Sequence, residues 1–515
     1  MARVRVRPGS RFAFAPVLVA LAALGVHGRS ILFGFTDLDD RDLIVDDHTF
    51  LAQPSSLWRV FGRSYMHVVD ASHAYYRPLV TASYVLDARW SGLDPRGYHL
   101  TNVALYAVAS ILVHALLRAL ALGPGVALAG ALLFAVHPAL APAVAWIPGR
   151  NDSLLAVFAL AAWIAFVRDA ARPSAWHKAA HYVFFALALL TKESAVVLPA
   201  VCLAHVALAQ PEDWKRLCQP RVIGGFAFGW ATIVAGRLFV HPPGGSPGLA
   251  LHEMVANAPL LVTALGKVAL PVHLSVLSVA SDIPLWPGVV AWVAMGVAVR
   301  AVPGVRPRIV ALGAAAFVLF LAPVIALSGS LVLDQRLVLP ACGALFAAGE
   351  IVRAMRLERA TLAAAAAAVA LTFAALTVAF EGDFRNPRAF ARDAVDGSPH
   401  SALAHFCLGR SYQAAGDDDR ALVEYRAALA LGPSEVVHNN IAVIAMARGR
   451  WDDAERELAE EVAINPGYGK AYYNLGIVLR HEGRMDEACA AEGRAMERAP
   501  EEDSIARERE RDCAR

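Results

Sequence analysis

Charge is scarce in this chain. Of 515 residues only 18% are charged against 57% hydrophobic, and the mean hydropathy is +0.47, a balance that excludes a soluble globular protein of this size. Lysine is scarcer still, since Lys178, Lys192, Lys215, Lys267 and Lys470 are the whole set, and the formal net charge of +2 gives no reason to expect a nucleic-acid partner. The six cysteines, Cys202, Cys218, Cys342, Cys407, Cys489 and Cys513, form no CxxC and no metal-ligand spacing. That excludes a disulfide framework and a zinc site and leaves buried small apolar residues as the expectation. Also missing is a convincing small-x-small cleavage site after the first apolar run, so the N-terminal segment reads as a retained signal anchor.

What the chain does have is long apolar runs. A spanning helix needs about 20 mostly apolar residues, and about 11 candidates are present. They fall at 12–33, 98–120, 124–140, 143–167, 179–191, 194–210, 221–240, 285–300, 308–327, 335–352 and 360–380. Arg3, Arg5, Arg7 and Arg11 precede the first, so the positive-inside bias places the N-terminus in the cytoplasm. On this count the cation-dense loops around Arg168 and Arg172, Lys215 and Arg216, Arg306 and Arg308, and Arg353 and Arg356 all fall inside. An odd number of crossings then carries the charge-rich C-terminal segment to the outer face. Residues 254–280 are apolar but interrupted by Lys267, Pro271 and His273, and counting them as a span would reverse every later loop. They read as a re-entrant or interfacial segment of a long external loop, 241–284, entered through the stiff stretch 241–248. The abundance of alanine suggests a GC-rich bacterial source, hence a bacterial inner membrane.

Outside the first span lies the stretch 34–48, which packs six Asp into residues 37–47. Carboxylates cost roughly 2.5 to 3.5 kcal/mol each at the centre of a spanning helix, so this stretch belongs at the water boundary. The same face collects Tyr75-Tyr76-Arg77-Pro78-Leu79, Gly97-Tyr98-His99-Leu100-Thr101-Asn102, Phe134-Ala135-Val136-His137-Pro138, Gly149-Arg150-Asn151-Asp152, Thr191-Lys192-Glu193-Ser194 and Asp334-Gln335-Arg336-Leu337-Val338-Leu339-Pro340. Together these give a surface site of carboxylates (Asp39, Asp40), fixed cations (Arg77, Arg150, Lys192, Arg336) and neutral imidazoles (His99, His137). Cations at headgroup depth suit a phosphate, and a carboxylate beside them can take a proton from an attacking hydroxyl. Each has a plainer reading: an acidic solvated loop, a Lys192–Glu193 ion pair between helix ends, His137 as a helix-end hydrogen-bonding group, Arg77 or Arg336 snorkelling, and Asn102 as interhelical glue.

From about residue 383 a period close to 34 residues sets in. Leu408, Gly409, Tyr412, Ala421, Tyr425, Ala428 and Pro433 mark one unit, Ile441, Ala442, Ala445, Ala454, Leu458 and Pro466 a second, and Leu475, Gly476, Leu479, Ala488, Ala495 and Pro500 a third. Small residues at the Gly and Ala positions let two antiparallel helices pack closely. The units run over 402–434, 435–468 and 469–502 behind a leading helix at 387–399, with 501–515 as a charged cap. The expected fold is all-α: a polytopic membrane domain (1–382, with an external acidic loop 34–97) followed by a soluble solenoid of tetratricopeptide (TPR) repeats (383–515).

The ordered set of motifs, from the Asp-Asp loop through Tyr-Arg-Pro-Leu, His-Pro, Gly-Arg-Asn-Asp, Thr-Lys-Glu and Arg-Leu-Val-Leu-Pro to the repeats, resembles the transmembrane and TPR-containing O-mannosyltransferases and their bacterial relatives. These are similar to the protein O-mannosyltransferases of the GT-C superfamily. The resemblance implies about 11 helices, a polyprenyl-phosphate-linked sugar donor, a protein or peptide acceptor and a base at Asp39 or Asp40, with Asp46–Asp47 as the alternative pair. Arg77, Arg150, Lys192 and Arg336 would hold the donor phosphate, with His99, Asn102, His137, Asp152 and Glu193 in support. No cofactor is implied with certainty, and a divalent metal is left open. There are departures. The family commonly has a Glu where this chain has Pro142, and another where it has Gln335; Asp152 is the nearest acid able to compensate. Two functions follow: transfer of a hexose, mannose by analogy, to Ser or Thr of exported proteins, or a catalytically degenerate membrane scaffold that recruits proteins through its repeats. A transporter fits less well, because the polar residues gather at one face rather than at the midplane.

Overall fold

The structure, a computed structural model, describes residues 13–65, 75–209, 220–240, 247–326, 331–332, 334–432, 434 and 436–498. Arg3, Arg5, Arg7, Arg11, Lys215, Arg216, Cys218, the stretch 241–246, Pro433, Pro500 and the tail 501–515 lie outside these. The described chain is helical throughout apart from one antiparallel pair of two-residue strands, Ser278–Val279 with Leu331–Val332. It divides into two compact units, Met1–Phe390 and Ala391–Arg515.

In the first unit the helices begin where the sequence supplies a proline. Pro78, Pro95, Pro124 and Pro307 each sit in the first turn, where the missing N–H costs nothing and the fixed φ already suits a helix. Among the described residues six helices are long and apolar enough to cross a membrane: Ala15–Leu32, Pro95–Ala119, Ile147–Ala171, Pro307–Ile325, Asp334–Ala354 and Arg359–Phe384. A seventh span results if the pair Pro124–Ala135 and Pro138–Ala145, bent by 54° at His137, is counted as one. Shorter apolar helices cover Glu193–Ala209, Val222–Leu238, Leu260–Ala269 and Trp286–Ala301. The protein is a multi-pass membrane protein. The helix Leu260–Ala269, on the segment expected to re-enter, has 10 residues and rises about 15 Å, half of what a crossing needs.

Two polar clusters mark opposite ends of this bundle. At one, Glu350 takes ion pairs from Arg306 at 2.6 Å and Arg353 at 2.7 Å, joining two loops expected on one face. At the other, the buried pair His27–Glu381 (2.5 Å) and the bond from Gly34 N–H to Arg385 O (3.1 Å) tie the end of the last span to the start of the acidic stretch. Between them Pro307–Ile325 and Val338–Ala354 pack backbone to backbone: a Cβ on Gly343 would lie 2.6 Å from Gly313 O. Only small residues allow that approach.

Among the described residues the second unit holds three successive helix pairs, Ala402–Ala414 with Asp418–Leu431, Val437–Ala447 with Trp451–Ile464, and Gly469–His481 with Met485–Arg498. Leu408, Ala421 and Ala488 are buried between paired helices, while Tyr412 and Leu475 are half-buried. A Cβ on Gly409 would come within 2.6 Å of the Tyr425 ring, and one on Gly476 within 2.9 Å of Glu492, so close helix contact requires glycine at both. Cys202, Cys342 and Cys407 are buried, as expected, but Cys489 is disulfide-bonded, which corrects the expectation that the cysteines serve only as buried small apolar residues.

Candidate active site

The acidic stretch does not run as a smooth helix. Leu38 is held at φ 65°, a left-handed conformation that costs a non-glycine residue about 1–3 kcal/mol. A π-helical turn, Arg41–Val45, begins three residues later. Such irregularities cluster at functional sites. Here they send two adjacent carboxylates different ways. Asp40 is fully buried, and its Oδ2 accepts from the Thr36 N–H at 2.6 Å and the Thr36 hydroxyl at 2.8 Å. Burial pushes its pKa up to about 8 against those two bonds, with Asp39 and Asp37 adding to the rise, so Asp40 is protonated at neutral pH. Its Oδ1 is buried without a hydrogen-bond partner. Asp39 instead lines a cavity. Burial raises its pKa as well, opposed by the Arg77 and Arg336 guanidinium groups.

That cavity, of about 190 Å³, gathers side chains from widely separated stretches, and Asp39, Arg77, Asp152, Lys192, Glu193 and Arg336 carry its charge. Arg77 forms a two-bond fork to Glu193, Nη2 to Oε1 at 2.5 Å and Nε to Oε2 at 3.1 Å. Burial disfavours the Arg77 charge, but Glu193 outweighs it and raises the pKa above its ordinary value. Lys192 donates to Asp152 Oδ1 at 2.7 Å, and burial lowers its pKa while Asp152 works the other way. The expected Lys192–Glu193 pair is therefore replaced by two cross-pairs. Lys192 lies in extended backbone at the end of Ala175–Thr191, between two helices, so neighbouring residues face different partners. Two cations and two anions thus neutralise one another. Among the described residues, Asp39 and Arg336 keep no ion-pair partner. Leu155, Phe320, Pro323, Val324, Leu339 and Pro340 add an apolar lining.

Other expected site residues lie behind the cavity. Arg150 is fully buried: it pairs with Asp87 at 2.5 Å, donates to Asn102 Oδ1 (2.7 Å), Ser83 Oγ (3.0 Å) and Tyr98 O (2.7 Å), and lies over the Tyr84 ring. Four of its five N–H donors are engaged and it does not line the cavity, so the structure places it away from the expected phosphate site. Asn102 donates to Val144 O, Trp146 O and Ile147 O at 3.0 to 3.2 Å, stitching the broken span to its own helix. His137 accepts from Ala139 N–H at Nδ1 (3.2 Å), which leaves Nε2 to donate to Val268 O (2.8 Å), a neutral ring locked in place. His99 meets Gly34 O at 3.3 Å and braces the start of the acidic stretch. Pro142 is buried in the short helix Pro142–Ala145 and does not line the cavity, whereas Gln335 does. Among the described residues there is no cluster of three or more His, Cys, Asp or Glu side chains able to hold a metal.

Sequence reading gave no site role to Tyr65, Tyr75, Trp146 and Asn151, which also line the cavity. Tyr75 and Tyr65 stack under the Arg77 guanidinium at 4.7 and 5.2 Å, and Asn151 donates to the Tyr65 hydroxyl at 3.0 Å. The Tyr-Tyr-Arg sequence held a signal for the first of these, since arginine favours an aromatic face. Tyr65 carried none.

Residues 92–236 match the family described as dolichyl-phosphate-mannose-protein mannosyltransferase. Protein O-mannosyl-transferase TMTC3 of mouse is 30% identical over 223 residues, covering 42% of this chain and 24% of that protein. The human TMTC3 protein is 33% identical over 208 residues (39% and 22%), and Drosophila protein O-mannosyl-transferase Tmtc1 is 38% identical over 136 residues (26% and 16%). The matched part is therefore less than a quarter of each relative's length. The family match contains Asn151, Asp152, Lys192 and Glu193 of the cavity, and by these similarities the membrane unit resembles the PMT/TMTC-like O-mannosyltransferases.

Proposed function

We propose that the protein is a membrane glycosyltransferase that moves a hexose, mannose by analogy with its relatives' names, from a polyprenyl phosphate to a Ser or Thr hydroxyl of an exported protein. The observation that carries this reading is the charge arrangement in the cavity. Arg77–Glu193 and Lys192–Asp152 are already paired, so Asp39 and Arg336 are the groups left for a ligand. In the reaction the acceptor oxygen attacks the anomeric carbon, its proton passes to Asp39, and the bond from that carbon to the phosphate oxygen breaks with inversion. The electron pair leaves on the polyprenyl phosphate, where the Arg336 and Arg77 charges stabilise it. The apolar lining around Phe320 and Leu339 suits the first isoprene units of such a donor. No step calls on a metal or cofactor. The helix pairs of the second unit, read as TPR repeats, would grip extended acceptor polypeptide on the outer face of a bacterial inner membrane.

Purified full-length protein in nanodiscs, given dolichyl-phosphate mannose and a Ser/Thr-rich peptide, should yield mannosylated peptide. Asp39→Asn should reduce the yield by about a hundredfold or more, and Asp40→Asn much less. Gln335 in place of a family carboxylate favours the second reading, a membrane-anchored scaffold. No transfer by the wild type, together with retention of exported proteins by the second unit, would establish that reading instead.

A further inference from the structure

Lys267 and Asp334 line no part of the cavity, yet they form one of the most deeply buried ion pairs of the first unit. Lys267 Nζ donates to Asp334 Oδ1 at 2.6 Å and to Ser278 Oγ at 3.1 Å, and the two charged residues are 2% and 1% exposed. Desolvating two charges is costly, and apolar side chains of similar volume commonly serve stability as well or better. Stability therefore gives no reason for the pair, but its position does. Asp334 opens the 3-10 turn Asp334–Leu337, whose next two residues, Gln335 and Arg336, reach into the cavity. The strand pair ties the same segments together, Ser278 opposite Val332 and Val279 opposite Leu331. One residue beyond Lys267, Val268 O receives the hydrogen bond of the locked His137.

Arg77 and Lys192 have their charged ends fixed inside the cavity by Glu193 and Asp152. Arg336 has no hydrogen-bond or ion-pair partner of that kind among the described residues, so its aim depends on its backbone. We propose that the Lys267–Asp334 pair is a positioning device for Arg336: the short helix Leu260–Ala269 holds the 334–337 turn from behind and thereby points the guanidinium at the ligand's phosphate. This rests on reading the cavity as a polyprenyl-phosphate site.

The test uses full-length protein in nanodiscs with undecaprenyl phosphate as the binding probe, and compares Lys267→Met, Arg336→Gln and the two combined. Each single change should weaken binding by about tenfold, and the double variant should bind no worse than the weaker single one, because both remove the same contact. The apolar pair Lys267→Met with Asp334→Leu should restore the unfolding temperature but not the affinity. Hydrogen exchange should quicken in residues 334–340 of Lys267→Met and stay unchanged in 150–171. Additive losses, or wild-type affinity in the apolar pair, would overturn the proposal. If the wild type does not bind the probe, the donor reading falls, and hydrogen exchange alone decides the positioning role: quickening confined to the turn upholds it, and unchanged exchange overturns it.

Discussion

Asp39 and Asp40 are chemically identical neighbours, and what separates them is backbone. The left-handed Leu38 and the π-helical turn after Asp40 rotate one carboxyl into the cavity and the other under Thr36. This gives Asp40 a consequence of its own. Its pKa rises from 3.8 to about 8 on folding, mainly through burial, so between those values the folded protein keeps a proton that the unfolded chain has released. The stability from this group is therefore fully present below about pH 4 and is lost as pH rises toward 8. Asp40→Asn keeps an acceptor for Thr36 and never ionises, so its thermal unfolding midpoint should vary less from pH 4 to 8 than that of the wild type, which falls. Parallel curves for the two proteins would assign the pH dependence to another group. The sequence made the acidic pair visible as a place, because carboxylates beside an apolar run must sit at the boundary. It could not rank the two members, since no residue type announces a strained φ at leucine.

At the scale of elements, the helix Pro95–Ala119 acts as a clamp on the irregular backbone between Val136 and Gly149. Asn102 satisfies three carbonyls of that segment and passes its own oxygen to Arg150, whose charge is met by Asp87. Irregular backbone packed inside a helical membrane unit needs internal partners, because lipid offers none. Reading Asn102 as glue captured this, and reading Arg150 as a phosphate ligand did not: an arginine in a polar motif carries the same letters whether it faces a cavity or a buried aspartate. Arg150→Met leaves Asp87 buried and uncompensated. It should destabilise the first unit by about 3–5 kcal/mol, seen as a lower midpoint in thermal unfolding. Any protein that remains folded should bind undecaprenyl phosphate with near wild-type affinity. A selective loss of affinity at an unchanged midpoint would return Arg150 to the ligand site. Apolar periodicity and proline placement made the helices legible, whereas pairing across more than a hundred residues, as in Arg77–Glu193 and His27–Glu381, has no local signature.

For the whole molecule, sidedness ties the catalytic proposal to the repeats. The Arg306–Glu350–Arg353 cluster gathers the basic loops at one end of the bundle, and the Gly34–Arg385 and His27–Glu381 contacts bring the exit of the last span beside the acidic stretch at the other. The chain therefore leaves the membrane unit on the side where Asp39 lies. If the basic end is cytoplasmic, as the positive-inside bias requires, both the acidic loop and the helix pairs that follow face outward. Single cysteines at three exposed positions test this in a cysteine-free background: Gln53→Cys in the acidic loop, Glu358→Cys at the basic end and Val423→Cys in the second unit. A membrane-impermeant maleimide applied to intact cells should label the first and third, and should reach the second only after the membrane is opened. Labelling at 53 with protection at 423 would mean an odd number of crossings between them and would separate any acceptor held by the repeats from Asp39. Labelling at 358 alone would invert the molecule and place the cavity in the cytoplasm, where a transferase acting on exported chains has no substrate.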